Sequence, residues 1–85
     1  MSMSKKQKLI NRLKRFPKDF TFTEMESLLK MIGFVKSNKG KTSGSLVQFY
    51  LKSITINLHK PHPRKELYEY QIKQVIEILE RENLL

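Results

Sequence analysis

The chain has 85 residues, enough for one hydrophobic core, and a domain of this size buries roughly 60–65% of its unfolded surface. Seventeen Lys and Arg stand against eight Asp and Glu, a net charge of +9 that opposes compaction unless an anionic partner uses it. No cysteine is present, which excludes a disulfide scaffold, thiolate zinc sites and a Cys nucleophile and fits a reducing compartment.

Phosphate backbones are the usual partner of such an excess, because each neutralised phosphate releases condensed counterions. The expected partner is therefore a polyanion, RNA before DNA, with an anionic membrane surface and an acidic protein as competitors. The N-terminus is charged from Lys5 onward and no apolar run reaches signal-peptide length. The expectation is a cytoplasmic protein with no membrane span. No repeat or linker divides residues 1–85, so they read as a single domain, with a basic extension at 1–18 and a core at 20–82.

Residues 4–15 place Leu9, Ile10 and Leu13 at helical spacing among seven basic residues counted through Lys18. This predicts a short helix with a thin apolar edge. It reads either as a solvated basic helix packed by one stripe or as a phosphate-binding helix; a membrane-surface helix would need Trp and more apolar bulk. Pro17 ends it, because Phe16 precedes a proline and is biased away from helical angles. A second helix starts at Thr21 or Thr23, both of which offer capping-box chemistry, and the sequence does not choose between them. Met25, Leu28, Leu29 and Ile32 form its apolar face, and Gly33 supplies a left-handed stop.

A short strand is predicted from Phe34 and Val35, then a polar loop over 37–44. Two alternating runs follow, 45–51 and 54–59, separated by Lys52 and Ser53. If those two residues form the turn, Leu51 faces Ile54, Phe49 faces Ile56 and Val47 faces Leu58, all toward the helices. Tyr50 then meets Thr55, Gln48 meets Asn57 and Leu46 meets His59 on a mostly polar second face. Lys-Ser is a poor sequence for a tight primed turn, and a bulge there would shift the register by one. After a loop with Pro61 and Pro63, a closing helix is predicted over about 69–82, with Ile72, Val75, Ile76 and Leu79 inward. Tyr68 and Tyr70, near its start, are expected to pack. The architecture is α+β, with helices on one face of a three-stranded antiparallel sheet and an extra N-terminal helix.

The order of a helix ending Leu28-Leu29-Lys30-Met31-Ile32-Gly33-Phe34, the segment Lys39-Gly40-Lys41-Thr42-Ser43-Gly44-Ser45, a strand pair, and His62-Pro63-Arg64-Lys65-Glu66-Leu67 before a helix resembles HicA toxins. These are small ribonucleases of toxin–antitoxin pairs, with a fold similar to the double-stranded-RNA-binding domain. The resemblance covers roughly residues 20–82, and the basic segment 4–15 looks like the extension of a longer branch of that family. It implies mRNA as substrate and a HicB-like antitoxin that covers the basic surface. The family pattern reads Gly-Ser-His, with that histidine taken as catalytic. Here Gly44-Ser45 is followed by Leu46, which cannot move a proton.

Metal-free RNA cleavage needs a base for the 2′-hydroxyl, an acid for the leaving oxygen and donors for the phosphorane oxygens. Histidine suits the first two because its unperturbed pKa of about 6.5 lies near working pH. Lysine and arginine suit the third. His59 and His62 are the only histidines and the candidate catalytic pair, and Lys60, Arg64 and Lys65 accompany them as phosphate ligands. His59, across the strands from Leu46, would return an imidazole to the space of the family's histidine. The plainer alternatives are a strand-end surface histidine and a turn histidine. Lys36, Lys39, Lys41 and Ser43 surround the loop glycines, and with Ser45 they resemble a phosphate-contacting segment without P-loop spacing. Tyr50 could stack on an unpaired base or pack on a neighbour. No cofactor or metal site is expected, since Pro61 and Pro63 prevent a helical presentation of His59 and His62 and no acidic or Cys ligand lies close in sequence.

Two functions compete: an mRNA-cleaving toxin, and a non-catalytic RNA-binding module on the same fold. A DNA-binding or purely protein-interacting role is the third.

Overall fold

A computed structural model describes residues 4–37 and 45–85. Helix α1 spans Lys5–Leu13, and the Ser4 hydroxyl accepts from the Gln7 N–H at 3.1 Å. Leu9, Ile10 and Leu13 are buried, so the thin apolar edge is a core contact. The helix ends two residues short of the expected Arg15. Phe16 before Pro17 takes a φ of +52°, outside the right-handed helical region.

Helix α2 spans Phe22–Ile32 and begins at the earlier threonine. The Thr21 hydroxyl accepts from the Glu24 N–H at 3.1 Å, and the Glu24 carboxylate accepts from the Thr21 N–H at 3.0 Å. Gly33 ends it at φ +130°, where a side chain would be strained, and donates to the Leu29 C=O.

Strands β1 (Val35–Lys36), β2 (Leu46–Leu51) and β3 (Ile54–His59) form one antiparallel sheet in the order β1-β2-β3. Phe34 stays outside β1 as a buried core residue. The hairpin register is the one a two-residue turn requires, with Leu51 opposite Ile54, Phe49 opposite Ile56 and Val47 opposite Leu58. Lys52 makes the tight turn at φ +55° despite its unfavourable side chain. Helix α3 spans Glu69–Arg81 and buries Ile72, Val75, Ile76 and Leu79. Phe49, Ile56 and Leu58 line the helix-facing side of the sheet, in one buried cluster with Phe20, Met25, Leu28 and Leu29 of the α2 region. The fold is α+β, with three helices and a three-stranded antiparallel sheet.

Arg12 joins α1 to the start of α2: its guanidinium bonds to the Glu24 carboxylate and lies 3.2 Å from that of Asp19. Burial pushes the Glu24 carboxyl up, but the Thr21 N–H, the Arg12 guanidinium and the Thr21 hydroxyl together hold it below the ordinary glutamate value. A depressed carboxyl contributes stability that is complete above its unfolded pKa and lost as pH falls through the folded one. The Glu26 carboxyl is also depressed, by its hydrogen bond from Lys30 against the opposing effect of burial, with help from Lys36. Glu24→Gln keeps an acceptor for the cap but loses the ion pair. At neutral pH it should cost up to about 1 kcal/mol, since the pair is partly exposed. Urea unfolding at pH 7 and pH 3 should show a smaller acid-dependent loss in the variant than in the parent.

Candidate functional site

Two distant segments meet to build the site. Residues 65–67 run antiparallel beside 20–22, with the Phe22 N–H donating to the Lys65 C=O at 3.1 Å and the Leu67 N–H to the Phe20 C=O at 2.8 Å. A β-bridge between Thr21 and Glu66 closes the pairing. This holds the 60–65 loop against the start of α2 and leaves a cleft of about 240 Å³ between them. Thr21, Phe22 and Thr23 form one wall; Lys60, His62, Arg64 and Lys65, with Pro61 and the cis-bonded Pro63, form the other.

Lys60, His62, Arg64 and Lys65 are all exposed, so the cleft offers three permanent cations and one imidazole to a ligand from solvent. The helix N-terminus opposite adds partial positive charge from its backbone N–H groups. Two of the cations are steadied by aromatic rings. The Lys60 ammonium lies 5.9 Å from the Phe22 ring centre, and the Arg64 guanidinium lies 4.5 Å from that of Tyr68. Arg64 Nε also donates to the Glu66 C=O at 2.9 Å, which fixes the side chain along the loop. Such a site can bind an anion through charge-assisted hydrogen bonds.

His59 stands apart from this cleft. It ends β3 directly opposite Leu46, on the outward face of the sheet, and is exposed. Its backbone C=O accepts from Gln71 Nε2 at 2.8 Å, while Gln71 Oε1 accepts from the Tyr68 N–H at 2.8 Å. Gln71 is 3% exposed and is the buried polar residue among those described. It ties the end of β3 to the start of α3. Sequence reasoning missed it, although a position four residues before Val75 lies on the inward face of the helix.

Ser45 sits beside the cleft's first residue, its C=O accepting from the Lys60 N–H at 3.0 Å. Tyr50 is on the outward face, where its hydroxyl donates to Gln48 Oε1 at 3.0 Å and Gln48 Nε2 donates to Asn57 Oδ1 at 2.8 Å. Lys36 is elsewhere: it pairs with Phe49 across the strands and therefore faces the helices, with its ammonium 3.7 Å from the Glu26 carboxylate. Lys39, Lys41 and Ser43 lie outside the described residues. Tyr68 and Tyr70 correct the expectation of packing. They are 41% and 59% exposed and stack on each other, 5.8 Å between ring centres and 17° between planes, because both precede the inward stripe that starts at Gln71.

Among the described residues, no helix is long and apolar enough to cross a membrane. A family model described as the HicA toxin of bacterial toxin-antitoxin matches residues 22–80, a span that starts at α2 and ends in α3. No curated protein and no solved structure matches the chain.

Proposed function

The chain belongs to the HicA toxin family of bacterial toxin–antitoxin pairs, and from that premise we propose that it is an RNA-binding toxin that acts in the cytoplasm and cuts mRNA without a metal. The observation that carries this reading is the cleft in which Lys60, Arg64 and Lys65 converge with His62 opposite the start of α2. A base removes the proton of a ribose 2′-hydroxyl, the freed oxygen attacks the adjacent phosphorus, and the 5′-oxygen leaves with a proton from an acid. DNA lacks the 2′-hydroxyl, so this chemistry selects RNA. His62 and His59 are the candidates for acid and base, and the cleft cations stabilise charge on the phosphorane. Opposite Leu46, His59 supplies an imidazole near the position where the family pattern has its histidine. Ser45 and Tyr50 are further candidate contacts for the RNA, and Lys39 and Lys41 are candidates by their charge alone. A HicB-like antitoxin restrains the toxin by covering this basic surface.

A catalytically inactive RNA-binding module is the second reading. It is favoured by Leu46 at the family's histidine position and by the absence of His59 from the cleft lining. Induced expression without the antitoxin, followed by growth and transcript length, separates the two. Arrest with shortened transcripts supports the toxin reading; normal growth with intact transcripts rejects it.

A further inference from the structure

A second concave surface adjoins the cationic cleft and shares Arg64 with it. Its volume is about 230 Å³, and Phe16, Lys18, Arg64, Tyr68 and Glu69 line it. Phe16 is 44% exposed, with its backbone in the left-handed region, a conformation that is strained for a bulky residue. Three exposed aromatic side chains, Phe16, Tyr68 and Tyr70, thus gather beside an anion-binding cleft. Guanidinium and ring are already layered at Arg64 and Tyr68, and Tyr70, outside the lining of the hollow, stacks against Tyr68.

We propose that this surface is a stacking site for one unpaired nucleobase of an RNA strand whose phosphate occupies the neighbouring cleft. The proposal rests on the RNA-binding reading above and deepens it. Bases stack on aromatic rings and on Arg guanidinium planes whatever their identity, because each has a π-face. The hollow is smaller than the roughly 300–1,000 Å³ of sites for drug-sized ligands, which suits a single heterocycle. Lys18 supplies a cation for the adjoining backbone. Glu69 disfavours a phosphate inside the hollow and presents an acceptor that suits the amino edge of a base. Arg64, lining both spaces, couples phosphate binding to stacking. A base held in a duplex cannot enter, so the site confers preference for single-stranded RNA.

The test uses the full chain and a labelled oligonucleotide with 2′-O-methyl ribose, which has no nucleophilic hydroxyl and cannot be cut. Affinity is measured for the single strand and for the duplex of the same sequence. The double substitution Tyr68→Leu/Tyr70→Leu should weaken single-strand binding about tenfold or more, the range of base–aromatic stacking, and weaken duplex binding several-fold less, through the support that Arg64 loses with the Tyr68 ring. Tyr68→Phe keeps the ring and should bind the single strand like the parent. Tyr70→Leu alone, at a well-exposed position, removes the ring that stacks on Tyr68, so it should lose part of the affinity and guards against misfolding of the double variant. Equal losses for both RNA forms, or no loss for either, would overturn the stacking site while leaving RNA binding intact. A parent that binds neither form removes the RNA-binding reading itself, and the stacking site with it.

Discussion

His62→Ala is expected to slow RNA cleavage by roughly 10²–10⁴-fold, the contribution of a positioned acid or base. His62 is an exposed loop residue that lines the cleft beside three cations, so its removal should leave folding nearly unchanged, within about 0.5 kcal/mol. Single-turnover cleavage of a labelled transcript, alongside urea unfolding, checks both statements. His59→Ala is expected to act in the same direction, through the exposed imidazole at the end of β3. If both variants arrest growth as fully as the parent, histidine chemistry is not how this chain acts. Retained RNA affinity in an inactive His62→Ala variant would place the loss in the chemical step, because the proposed phosphate ligands Lys60, Arg64 and Lys65 are unchanged in it.

Gln71→Leu is expected to destabilise the protein by about 1–3 kcal/mol. Leucine fills a similar volume, but the His59 C=O and the Tyr68 N–H both lose the partner they have at 2.8 Å. An unsatisfied buried polar group costs about 1–3 kcal/mol, and partial access of water at the exposed Tyr68 keeps the sum toward the lower end. Gln71→Glu separates the two bonds: its carboxylate can accept from the Tyr68 N–H but cannot donate to the His59 C=O. Denaturant midpoints should therefore place both variants below the parent. Because Gln71 anchors the backbone of His59, cleavage by Gln71→Leu under folded conditions should also fall, whereas a purely structural role would change the midpoint alone.

Much of the fold was legible because it rests on short-range periodicity. Alternation at Val47, Phe49 and Leu51 and at Ile54, Ile56 and Leu58 specifies the buried face, and any one-residue slip would turn that face to solvent. This constraint is strong enough to force Lys52 into a left-handed conformation in place of a bulge. The cationic loop and the Leu46–His59 pairing were legible for the same reason, since each follows from adjacency or from register.

Other features depend on segments far apart in the chain, and local pattern carries no information about them. The choice of Thr21 over Thr23 follows from the bridge to Glu66, which accompanies an extended Thr21 and lets the helix begin at Phe22. The cleft exists because that same pairing lays the 60–65 loop against α2. Lys36 looked like a loop cation, but strand pairing turned it to the helix side and to Glu26. Tyr68 and Tyr70, near the start of α3, are expected from the sequence to pack, yet the α3 inward stripe begins just past them and leaves them exposed. Charge, helical and strand periods, and the hairpin register are properties of neighbouring residues, and the 85-residue sequence settles them. Which cations converge, which are neutralised by carboxylates and which aromatic rings remain exposed depend on contacts between distant segments, and the folded chain assigns them.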